Sequence, residues 1–448
     1  MILDKGSTFI TGTLHDNGFQ GFIVGGSVRD YLMGKPSEQI SDYDIITDAT
    51  PEAVMKLFPR TIPTGLKHGT VTVLAEDETY EVTTFRTEGE YKDCRHPEEV
   101  AFVSDIREDL LRRDFTINAM AYDPSTGEII DRFDGRSDLA KKLIKAVGDP
   151  DLRFKEDALR IIRGIRFAAR FGFNIDPATL QSMAANAQLL ENISKERIYA
   201  EFKKIALSPV PSLGMNLLLY TGALRVIMPE LLPMAGFNQF STYHDKDVWF
   251  HTMQVMDHIR GYLPLRLAAL FHDTGKPFTH TMDEQGNGHF YGHEEVSAAI
   301  AETVLTRLKI DKATREMVTL IIGRHMVPLD IKKQAKIKKL ITEYGKEHIH
   351  LFFEFKKADY GGKPENLEAD QKFIALQDTV HAIIDRNEPL EVRDLAINGT
   401  DLLNLGFAPG KSIGETLRLL LNEVILNPDL NNREDLIRAA LRLKGGEQ

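Results

Sequence analysis

Two aspartates separated by a single tyrosine, Asp42 and Asp44, stand just before the apolar pair Ile45 and Ile46. Residues i and i+2 of a β-strand point to the same face, so these carboxylates would converge and repel each other unless a divalent cation lay between them. Magnesium prefers hard oxygen ligands, and carboxylates commonly hold it together with the phosphates of a substrate. The pair therefore predicts a site for magnesium and a bound triphosphate.

A glycine pair precedes these aspartates, in the segment Gly25 to Asp30 that follows the apolar run GFIV. Two glycines let the backbone approach a phosphate closely, Ser27 is a candidate N-cap, and the N–H groups that open a helix attract anions. An ordinary tight turn would have the same residues. In combination with Arg29 and the Asp-x-Asp pair, however, the turn fits the active site of a nucleotidyltransferase.

The segment Glu156 to Phe173 has the periodicity of an amphipathic helix. One face is apolar, as at Ile161 and Ile165, and the other carries arginines with few acids near them in the sequence. These arginines are Arg160, Arg163, Arg166 and Arg170. A purely structural helix would seldom leave so many cations weakly compensated, which favours a binding role for this face.

Asp157 and Arg160 lie within one turn of this predicted helix and can act together. A carboxylate accepts a hydrogen bond from the exocyclic amine of cytosine or adenine, while a guanidinium donates to the neighbouring ring nitrogen. Guanine and uracil present the opposite polarity, so the pair would select C and A without a nucleic-acid template. The alternative is an ordinary ion pair within the helix, which contributes only about a few tenths of a kcal/mol.

Histidines and aspartates also recur in the second half of the chain, in segments with helical periodicity. They are His251, the doublet His272-Asp273, His293 and His325, with Asp359 as a looser match. Imidazole nitrogens and a carboxylate bind a transition metal, which can lower the pKa of water for attack on a phosphate ester. The alternative is that these histidines cap or pack helices in a domain that has lost its metal.

Composition limits the partners and the compartment of this chain. It has 448 residues, 42% of them apolar, with 55 Lys plus Arg against 66 Asp plus Glu and a net charge of −11. This content excludes simple disorder and argues against a protein that coats nucleic acid through bulk positive potential. A polyanion must therefore meet a local basic patch. The single cysteine, Cys94, and the lack of an apolar run of about 18 residues predict a cytoplasmic, multidomain protein without a membrane partner.

The chain has two regions with different secondary-structure patterns, and these must position the residues named above. In the first part of the chain, β-prone runs such as Thr70 to Leu74 and Tyr80 to Thr84 alternate with helical stretches such as Pro51 to Phe58. From about Asp151 onward, apolar residues recur at helical spacing, for example across Lys195 to Leu207. The predicted fold class is α+β, with a nearly all-helical remainder.

Five ordered motifs closely resemble those of the class II tRNA nucleotidyltransferases, a family that contains bacterial CCA-adding enzymes and poly(A) polymerases and includes fusions to an HD domain. They are GGSVRD at 25–30, SDYDI at 41–45, RRDFTINAMA at 112–121, FDGRSDL at 133–139 and EDALRIIRGIRFAARFGF at 156–173. The resemblance implies a polymerase-β-like nucleotidyltransferase head with a small mixed sheet, followed by an all-α neck, body, HD segment and tail. The implied boundaries are 1–147 for the head, 148–235 for the neck and body with the templating helix, 236–345 for the HD domain and 346–448 for the tail.

The resemblance also implies roles for individual residues. Asp42 and Asp44 would be catalytic and hold Mg²⁺, with Glu81 as a weaker candidate for a third carboxylate. The incoming nucleotide would contact Gly26, Arg29, Arg113, Asp157, Arg160, Arg163 and Arg166. In the HD domain, a transition metal would be held by His251, His272, Asp273 and His293.

These roles imply template-independent addition of CCA to the 3′ end of tRNA from CTP and ATP. CCA-adding members resemble one another in a flexible loop, present here between Thr87 and Ser104, that CC-adding relatives lack. Addition of A alone to tRNA ending in CC ranks second, and poly(A) synthesis third because this acidic chain lacks basic extensions. An accessory HD phosphohydrolase could prepare the tRNA end. Phosphates of the acceptor arm would meet lysines on later helices, at Lys332, Lys333 and Lys336.

Overall fold

The computed structural model describes residues 1–88, 100–238, 247–360, 367–386 and 388–445. The chain divides into two compact units, Met1–Leu232 with Arg307–Ile310 and Pro233–Thr306 with Asp311–Gln448. The loop between Thr87 and Ser104 is the segment that CC-adding relatives lack. Its characteristic residues, Tyr91, Asp93, Arg95 and Pro97, lie outside the described residues. The finer boundaries predicted at 147 and 345 fall within these units and stay predictions.

The described part of the first unit contains a mixed sheet and two separate strand pairs. Its strands are β1 (Gly21–Val24), β2 (Asp44–Thr47), β3 (Thr61–Gly65), β4 (Thr70–Ala75), β5 (Glu78–Thr84), β6 (Arg86–Glu88), β7 (Val100–Phe102), β8 (Met120–Tyr122), β9 (Ile129–Asp131), β10 (Leu143–Ile144) and β11 (Asn174–Ile175). The sheet has seven strands in the order β3-β4-β5-β2-β1-β8-β9. Strands β2 and β5 are parallel and the other neighbours antiparallel. The predicted mixed sheet is confirmed.

Helices cover this sheet and make up the rest of the unit. They are α1 (Lys5–Asp16), α2 (Gly26–Leu32), α3 (Pro51–Leu57), α4 (Ile106–Leu111), α5 (Gly135–Ala140), α6 (Pro150–Glu156), α7 (Leu159–Phe171), α8 (Pro177–Asn186), α9 (Lys195–Ala206), α10 (Pro211–Tyr220) and α11 (Ala223–Ile227). Local sequence explains their starts. In α3, for example, the Thr50 hydroxyl accepts from the N–H of Ala53, and Pro51 occupies the first turn, where its missing N–H costs nothing.

Strand β1 lies inside the sheet, between β2 and β8, and all four of its residues are buried. Helix α1 packs against it through Ile10 and Leu14, which are fully buried. Each such side chain contributes roughly 1.5–3 kcal/mol by leaving water. The last residue of β1, Val24, pairs with Asp44 at the start of antiparallel β2. The turn that leaves β1 therefore lies beside the first residue of β2.

Helix α7 carries the arginine-rich sequence and packs against α9 and α10. Its apolar side chains Ile161, Ile162 and Ile165 are fully buried. The helix ends at Gly172, whose φ of 65° is the left-handed conformation that closes a helix and that glycine adopts without strain. Burial of one face fixes which way the arginines of the opposite face point.

The described part of the second unit is helical apart from one short hairpin. Its described elements are α12 (Val248–His258), α13 (Leu263–Phe271), α14 (Lys276–Thr279), β12 (Thr281–Met282), β13 (Gly288–His289), α15 (His293–Arg307), α16 (Lys312–Arg324), α17 (Gln334–Tyr344), α18 (His350–Tyr360), α19 (Leu367–Asp385), α20 (Gly399–Asn404), α21 (Lys411–Leu426) and α22 (Arg433–Gly445). Helix α13 is central and packs against α12, α16 and α18. Helices α20, α21 and α22 form a separate apolar core around Leu402, Leu420 and Leu436.

Among the described residues, no helix combines the length and the apolar character needed to cross a membrane.

Candidate functional sites

The turn between β1 and α2 brings the glycine pair to the first aspartate site. Gly25 has a φ of 74°, and α2 begins at the next residue. A Cβ atom placed on Gly25 would lie 3.4 Å from Arg113 Nη1 and 3.5 Å from Asp44 Oδ2. Glycine is therefore favoured here by the backbone conformation, and the distances show that Arg113 and Asp44 lie beside the turn. The prediction that Ser27 caps the helix is wrong, because Ser27 lies inside α2 and its hydroxyl donates to the Val24 carbonyl at 3.2 Å.

The two aspartates do not share one strand face. Asp44 is the first residue of β2, whereas Asp42 precedes the strand with a φ of 59°. The predicted i and i+2 strand geometry is wrong for Asp42, because a left-handed residue interrupts the extended chain. Their carboxylates still interact. Partial removal from water raises the pKa of Asp44, Arg113 opposes this rise, and repulsion from Glu81 and Asp42 adds to it.

Such mutual repulsion is what a divalent cation would relieve. The donors are carboxylate oxygens, the ligand type that magnesium prefers. Asp42 and Asp44 are both exposed, so a hydrated ion and a phosphate can reach them. The residues present therefore fit the cation that the sequence motif predicts.

Arg29 is held in the wall of the same site. Its side chain is buried, with Nη2 lying 2.6 Å from Asp30 Oδ1 and Nη1 donating to Asn118 Oδ1 at 2.6 Å. The guanidinium also lies over the ring of Phe171, 4.8 Å from its centroid. Burial lowers the pKa of Arg29, and Asp30 opposes that change. These contacts fix a positive charge beside the glycine turn.

Arg113 supplies a second positive charge at the aspartates. Its Nη2 lies 3.3 Å from Asp109 Oδ2, and the Asp109 side chain is completely buried. Within the described chain, the buried Nε of Arg113 has no hydrogen-bond partner. The guanidinium of Arg113 places a positive charge beside the glycine turn and opposes the rise that burial causes in the pKa of Asp44.

The structure breaks the predicted helix of 156–173 at Asp157. Helix α6 ends at Glu156 and α7 begins at Leu159, while Asp157 is extended, with φ −140° and ψ 101°. Its Oδ1 accepts from the Leu159 N–H at 3.0 Å. The predicted single helix is wrong because the aspartate side chain caps the new helix, a local interaction that competes with helix continuation.

The alternative of an Asp157–Arg160 ion pair is not found either. The Asp157 Oδ2 instead lies 2.7 Å from Arg197 Nη2 on α9. Arg160 Nη1 lies 2.6 Å from Glu156 Oε2, and its Nη2 donates to the Arg112 carbonyl at 3.0 Å. Both side chains line the same cavity but are engaged with other partners.

Three of the four arginines predicted to lack acid partners, Arg160, Arg163 and Arg166, do have them, contrary to the prediction. Arg163 donates to Asp114 Oδ2 at 2.6 Å, and Arg166 Nε lies 3.0 Å from Glu201 Oε2. Burial alone would raise the pKa of Asp114, but Arg163, Asn118 and Arg160 together outweigh that effect and lower it to about 2. Asp114 and Glu201 come from distant segments, so the sequence of the helix itself could not reveal them.

One cavity of about 420 Å³ collects all seven of the predicted nucleotide-binding residues and the predicted metal ligand Asp44. The seven are Gly26, Arg29, Arg113, Asp157, Arg160, Arg163 and Arg166. Asp42 and Glu81 are outside its lining. The sequence reasoning assigned no nucleotide role to Asn118, Phe167 and Arg197, which also line it. Asn118 lies in the RRDFTINAMA motif, and Arg197 lies in the charged run Lys195 to Arg197. Their positions in these segments could have indicated that they belong to the site.

A second group of titratable side chains lies in the second unit. His272 and Asp273 directly follow α13, and His325 directly follows α16. Their neighbours are His251 on α12, His293 on α15 and Asp359 on α18. The Nε2 atoms of His251 and His272 are 3.3 Å apart, and those of His293 and His325 are 3.1 Å apart. His251 Nε2 lies 3.1 Å from Asp359 Oδ1. The structure thus brings together all four predicted ligands, and His325 and Asp359 join them.

These donors form two overlapping groups that share Asp273. One consists of His251, His272 and Asp273, the other of Asp273, His293 and His325, and in each the ligand atoms lie within 4.8 Å of one another. Imidazole and carboxylate ligands together suit a transition metal. The chemistry of the donor set therefore fits a metal.

Backbone carbonyls orient three of the imidazoles. The Nδ1 atoms of His272, His293 and His325 lie 2.9, 2.7 and 2.6 Å from carbonyl oxygens one turn earlier. A carbonyl oxygen can only accept, so each Nδ1–H donates to it and the Nε2 atom faces the cluster, the orientation found in metal-bound histidines. Burial lowers the pKa of His325 to about 4, so this imidazole is neutral at pH 7.

Lys332, Lys333 and Lys336 lie at the start of α17, and all three are exposed. They line a groove of about 530 Å³. This placement agrees with an accessible basic surface, and their contact with RNA stays a prediction.

The mixed sheet, the glycine turn beside Asp44 and the arginine-lined cavity define a nucleotidyltransferase, to which the histidine cluster adds a candidate metal domain. Family models give the same division. The Poly A polymerase head domain matches residues 21–145, the Probable RNA and SrmB-binding site of polymerase A matches 172–234, and the HD domain matches 248–383.

Similar proteins of known activity specify which kind of nucleotidyltransferase this is. The CCA-adding enzyme of Streptococcus thermophilus is 34% identical over 423 residues, which cover 94% of this chain and 92% of that relative. The CCA-adding enzyme of Enterococcus faecalis is 56% identical over 194 residues, or 43% of this chain and 47% of that relative. The crystal structure of Bacillus stearothermophilus CCA-adding enzyme in complex with CTP is 28% identical, with a TM-score of 0.68 over 99% of this chain and 98% of that one. This chain belongs to the family of CCA-adding enzymes, and the resemblance expected from its motifs is confirmed.

Proposed function

We propose that this chain adds C, C and A to the 3′ end of tRNA, from CTP and ATP and without a nucleic-acid template. One observation carries this proposal: a single cavity contains Asp44 and the glycine turn together with Asp157 and Arg160. Groups suited to a triphosphate and groups suited to a base thus face the same space. The named relatives support the choice of CCA over A alone or poly(A).

In the reaction, the terminal 3′ oxygen of the tRNA attacks the α-phosphorus of the nucleotide, the bond to the β-phosphate breaks, and pyrophosphate leaves. Asp42 and Asp44 would hold magnesium, which supplies neutralising charge to the triphosphate and promotes deprotonation of the 3′ hydroxyl. Arg29 and Arg113 would supply positive charge beside the glycine turn and orient the phosphates. Because Arg29 is already fixed by Asp30 and Asn118, its charge needs little reorganisation on binding.

Base selection requires two ion pairs to be exchanged. Asp157 would turn from Arg197, and Arg160 from Glu156, to meet the exocyclic amine and ring nitrogen of C or A. For uracil or guanine the same exchange would leave both groups mismatched, so the cost of breaking the pairs would not be recovered. The ion pairs therefore add to the rejection of U and G.

The test is nucleotide addition to tRNA that ends at the discriminator base, at C, or at CC, with each nucleotide supplied separately. We expect C on the first two substrates and A on the third, with at least about a hundredfold loss in Asp44→Asn. The matched variant Asp16→Asn changes an exposed carboxylate and should retain activity. Addition of A alone would replace the proposal with the A-adding function.

We also propose that the second unit is a phosphohydrolase with a transition metal held by His251, His272, Asp273 and His293. The observation that favours it is the convergence of these ligands with His325 and Asp359. Such a metal would supply an activated water for attack on a phosphomonoester or 2′,3′-cyclic phosphate. The substrate would be an RNA end that must be cleared before extension.

Release of phosphate with nickel, manganese or magnesium tests this second activity. It should disappear in His272→Ala and Asp273→Ala and persist in His381→Ala, which removes an exposed histidine. A homogeneous preparation that is inactive with all three metals would refute it. We further propose a cytoplasmic location, which the tRNA substrate and the single cysteine support.

A further inference from the structure

The metal-site cavity of the second unit has features that its metal ligands do not explain. Its volume is about 540 Å³, far more than a metal and a phosphate group occupy. Besides the ligands, the lining includes Phe290 and Tyr291 on one side and Pro328 on another. Tyr291 belongs to an exposed aromatic pair. Pro328 also lines the groove that contains Lys332, Lys333 and Lys336, called here the lysine groove.

The aromatic pair consists of Tyr291 and His289, at the end of the β12–β13 hairpin. Tyr291 is 79% exposed although it is a large aromatic side chain. Its ring stacks on His289 with centroids 5.4 Å apart and an interplanar angle of 6°. Asp283 Oδ2 lies 3.0 Å from His289 Nε2 and holds the imidazole ring of His289 in place. A fixed aromatic face that remains open to solvent beside a phosphate-chemistry site is suited to stacking with a nucleobase.

The lysine groove begins where the metal-site cavity ends. Pro328 lines both, and the chain runs from the metal-site residue His325 through Pro328 to Lys332 and Lys333. Lys336 follows in the first turn of α17. Among described residues, none of these three lysines lies within ion-pair distance of a carboxylate. Uncompensated lysines in a row match the repeating negative charge of a phosphodiester backbone.

We propose that the metal-site cavity accepts the phosphorylated 3′ end of an RNA strand, with its last base stacked on Tyr291 and its preceding phosphates along Lys332, Lys333 and Lys336. This inference rests on the phosphohydrolase function proposed above and names its substrate class. In the reaction, water attacks the terminal phosphorus, the bond from phosphorus to the ribose oxygen breaks, that oxygen takes a proton, and inorganic phosphate leaves. A mononucleotide would reach Tyr291 but would leave the lysine groove empty.

The test measures phosphate release in the presence of manganese from two substrates. One is a 12-nucleotide RNA carrying a 3′-phosphate, and the other is a ribonucleoside 3′-monophosphate. In the triple variant Lys332→Ala, Lys333→Ala, Lys336→Ala, the ratio of kcat/KM for RNA to that for mononucleotide should fall about tenfold, and the salt dependence of RNA binding should flatten by a slope of about 2. The control replaces the exposed Lys312, Lys411 and Arg418 by alanine. An unchanged ratio in the lysine variant would overturn the inference while leaving the phosphohydrolase function intact.

Cross-linking tests the inference even if no phosphate is released, an outcome that would refute only the phosphohydrolase function. The probe is the same RNA with 4-thiouridine 3′-phosphate at its end, irradiated in complex with the full chain. The cross-linked peptide should contain Tyr291, and its yield should fall at least about fivefold in Tyr291→Ala but not in Phe278→Ala, which removes another exposed aromatic ring. Cross-links confined to residues 1–232 would overturn the inference.

Discussion

The carboxylate of Asp157 is bound by Arg197, with 2.7 Å between Oδ2 and Nη2, while its motif partner Arg160 pairs with Glu156. The two groups expected to read the base are thus each satisfied by another residue. An unpaired carboxylate and guanidinium in a confined cavity would be costly, and these partners remove that cost until a base arrives.

Replacement of Asp157 by asparagine should weaken base selection more than turnover. An amide can either accept or donate a hydrogen bond, so it no longer rejects uracil. We expect the ratio of kcat/KM for CTP to that for UTP to fall about tenfold or more. Single-turnover addition to tRNA lacking its CCA end measures this ratio. A ratio within roughly twofold of the wild-type value, the result expected for the exposed control Glu191→Gln, would contradict the base-reading role.

The buried Asp114 should make stability depend on pH in a predictable direction. Burial opposes the effect, but Arg163, Asn118 and Arg160 together lower its pKa from 3.8 to about 2 in the folded state. The stabilisation is therefore present above about pH 4 and is lost as the pH falls through about 2. Asp114→Asn should therefore lower the free energy of unfolding by about 2 kcal/mol at pH 7 and by much less near pH 2. Urea unfolding at both pH values measures the difference. An equal loss at both would show that the charge is not responsible, and the exposed Asp16→Asn serves as the control.

Gly164, inside α7, should not tolerate a side chain. A Cβ atom there would overlap the Met183 methyl group and lie 2.7 Å from Phe115 Cζ. Gly164→Ala should cost about 1–3 kcal/mol through overpacking. Gly323→Ala in α16 is the matched control, since a Cβ there meets nothing within 4 Å and should raise stability by up to about 1 kcal/mol. Equal effects of the two substitutions in thermal unfolding would show that the packing around α7 is looser than described.

Metal binding should stabilise the second unit. An ion that binds only the folded protein adds about 2.7 kcal/mol at one hundred times its Kd. We expect the Tm to rise with manganese or nickel and to return to its starting value with chelator. The rise should be absent in Asp273→Asn, because Asp273 belongs to both ligand groups, and retained in His381→Ala. The same Tm rise in Asp273→Asn would place the metal elsewhere.

The sequence predicted those features that depend on local pattern. The apolar run GFIV forms the buried strand β1, and the doublet His272-Asp273 with His251 21 residues before it pointed to the metal cluster. Contacts between distant segments of the chain could not be predicted from the sequence. Asp114 compensates Arg163 from a distant segment, and Asp157 leaves the helix to cap it, so helical periodicity alone misjudged both the charge balance and the break.

The most direct test of the central claim is the sequence of nucleotides added to tRNA that lacks its last three residues, with all four nucleoside triphosphates present. We expect addition of C, C and A followed by arrest, with little U or G, and loss of all addition in Asp42→Ala. Random extension, a run of A, or wild-type addition by Asp42→Ala would contradict the account.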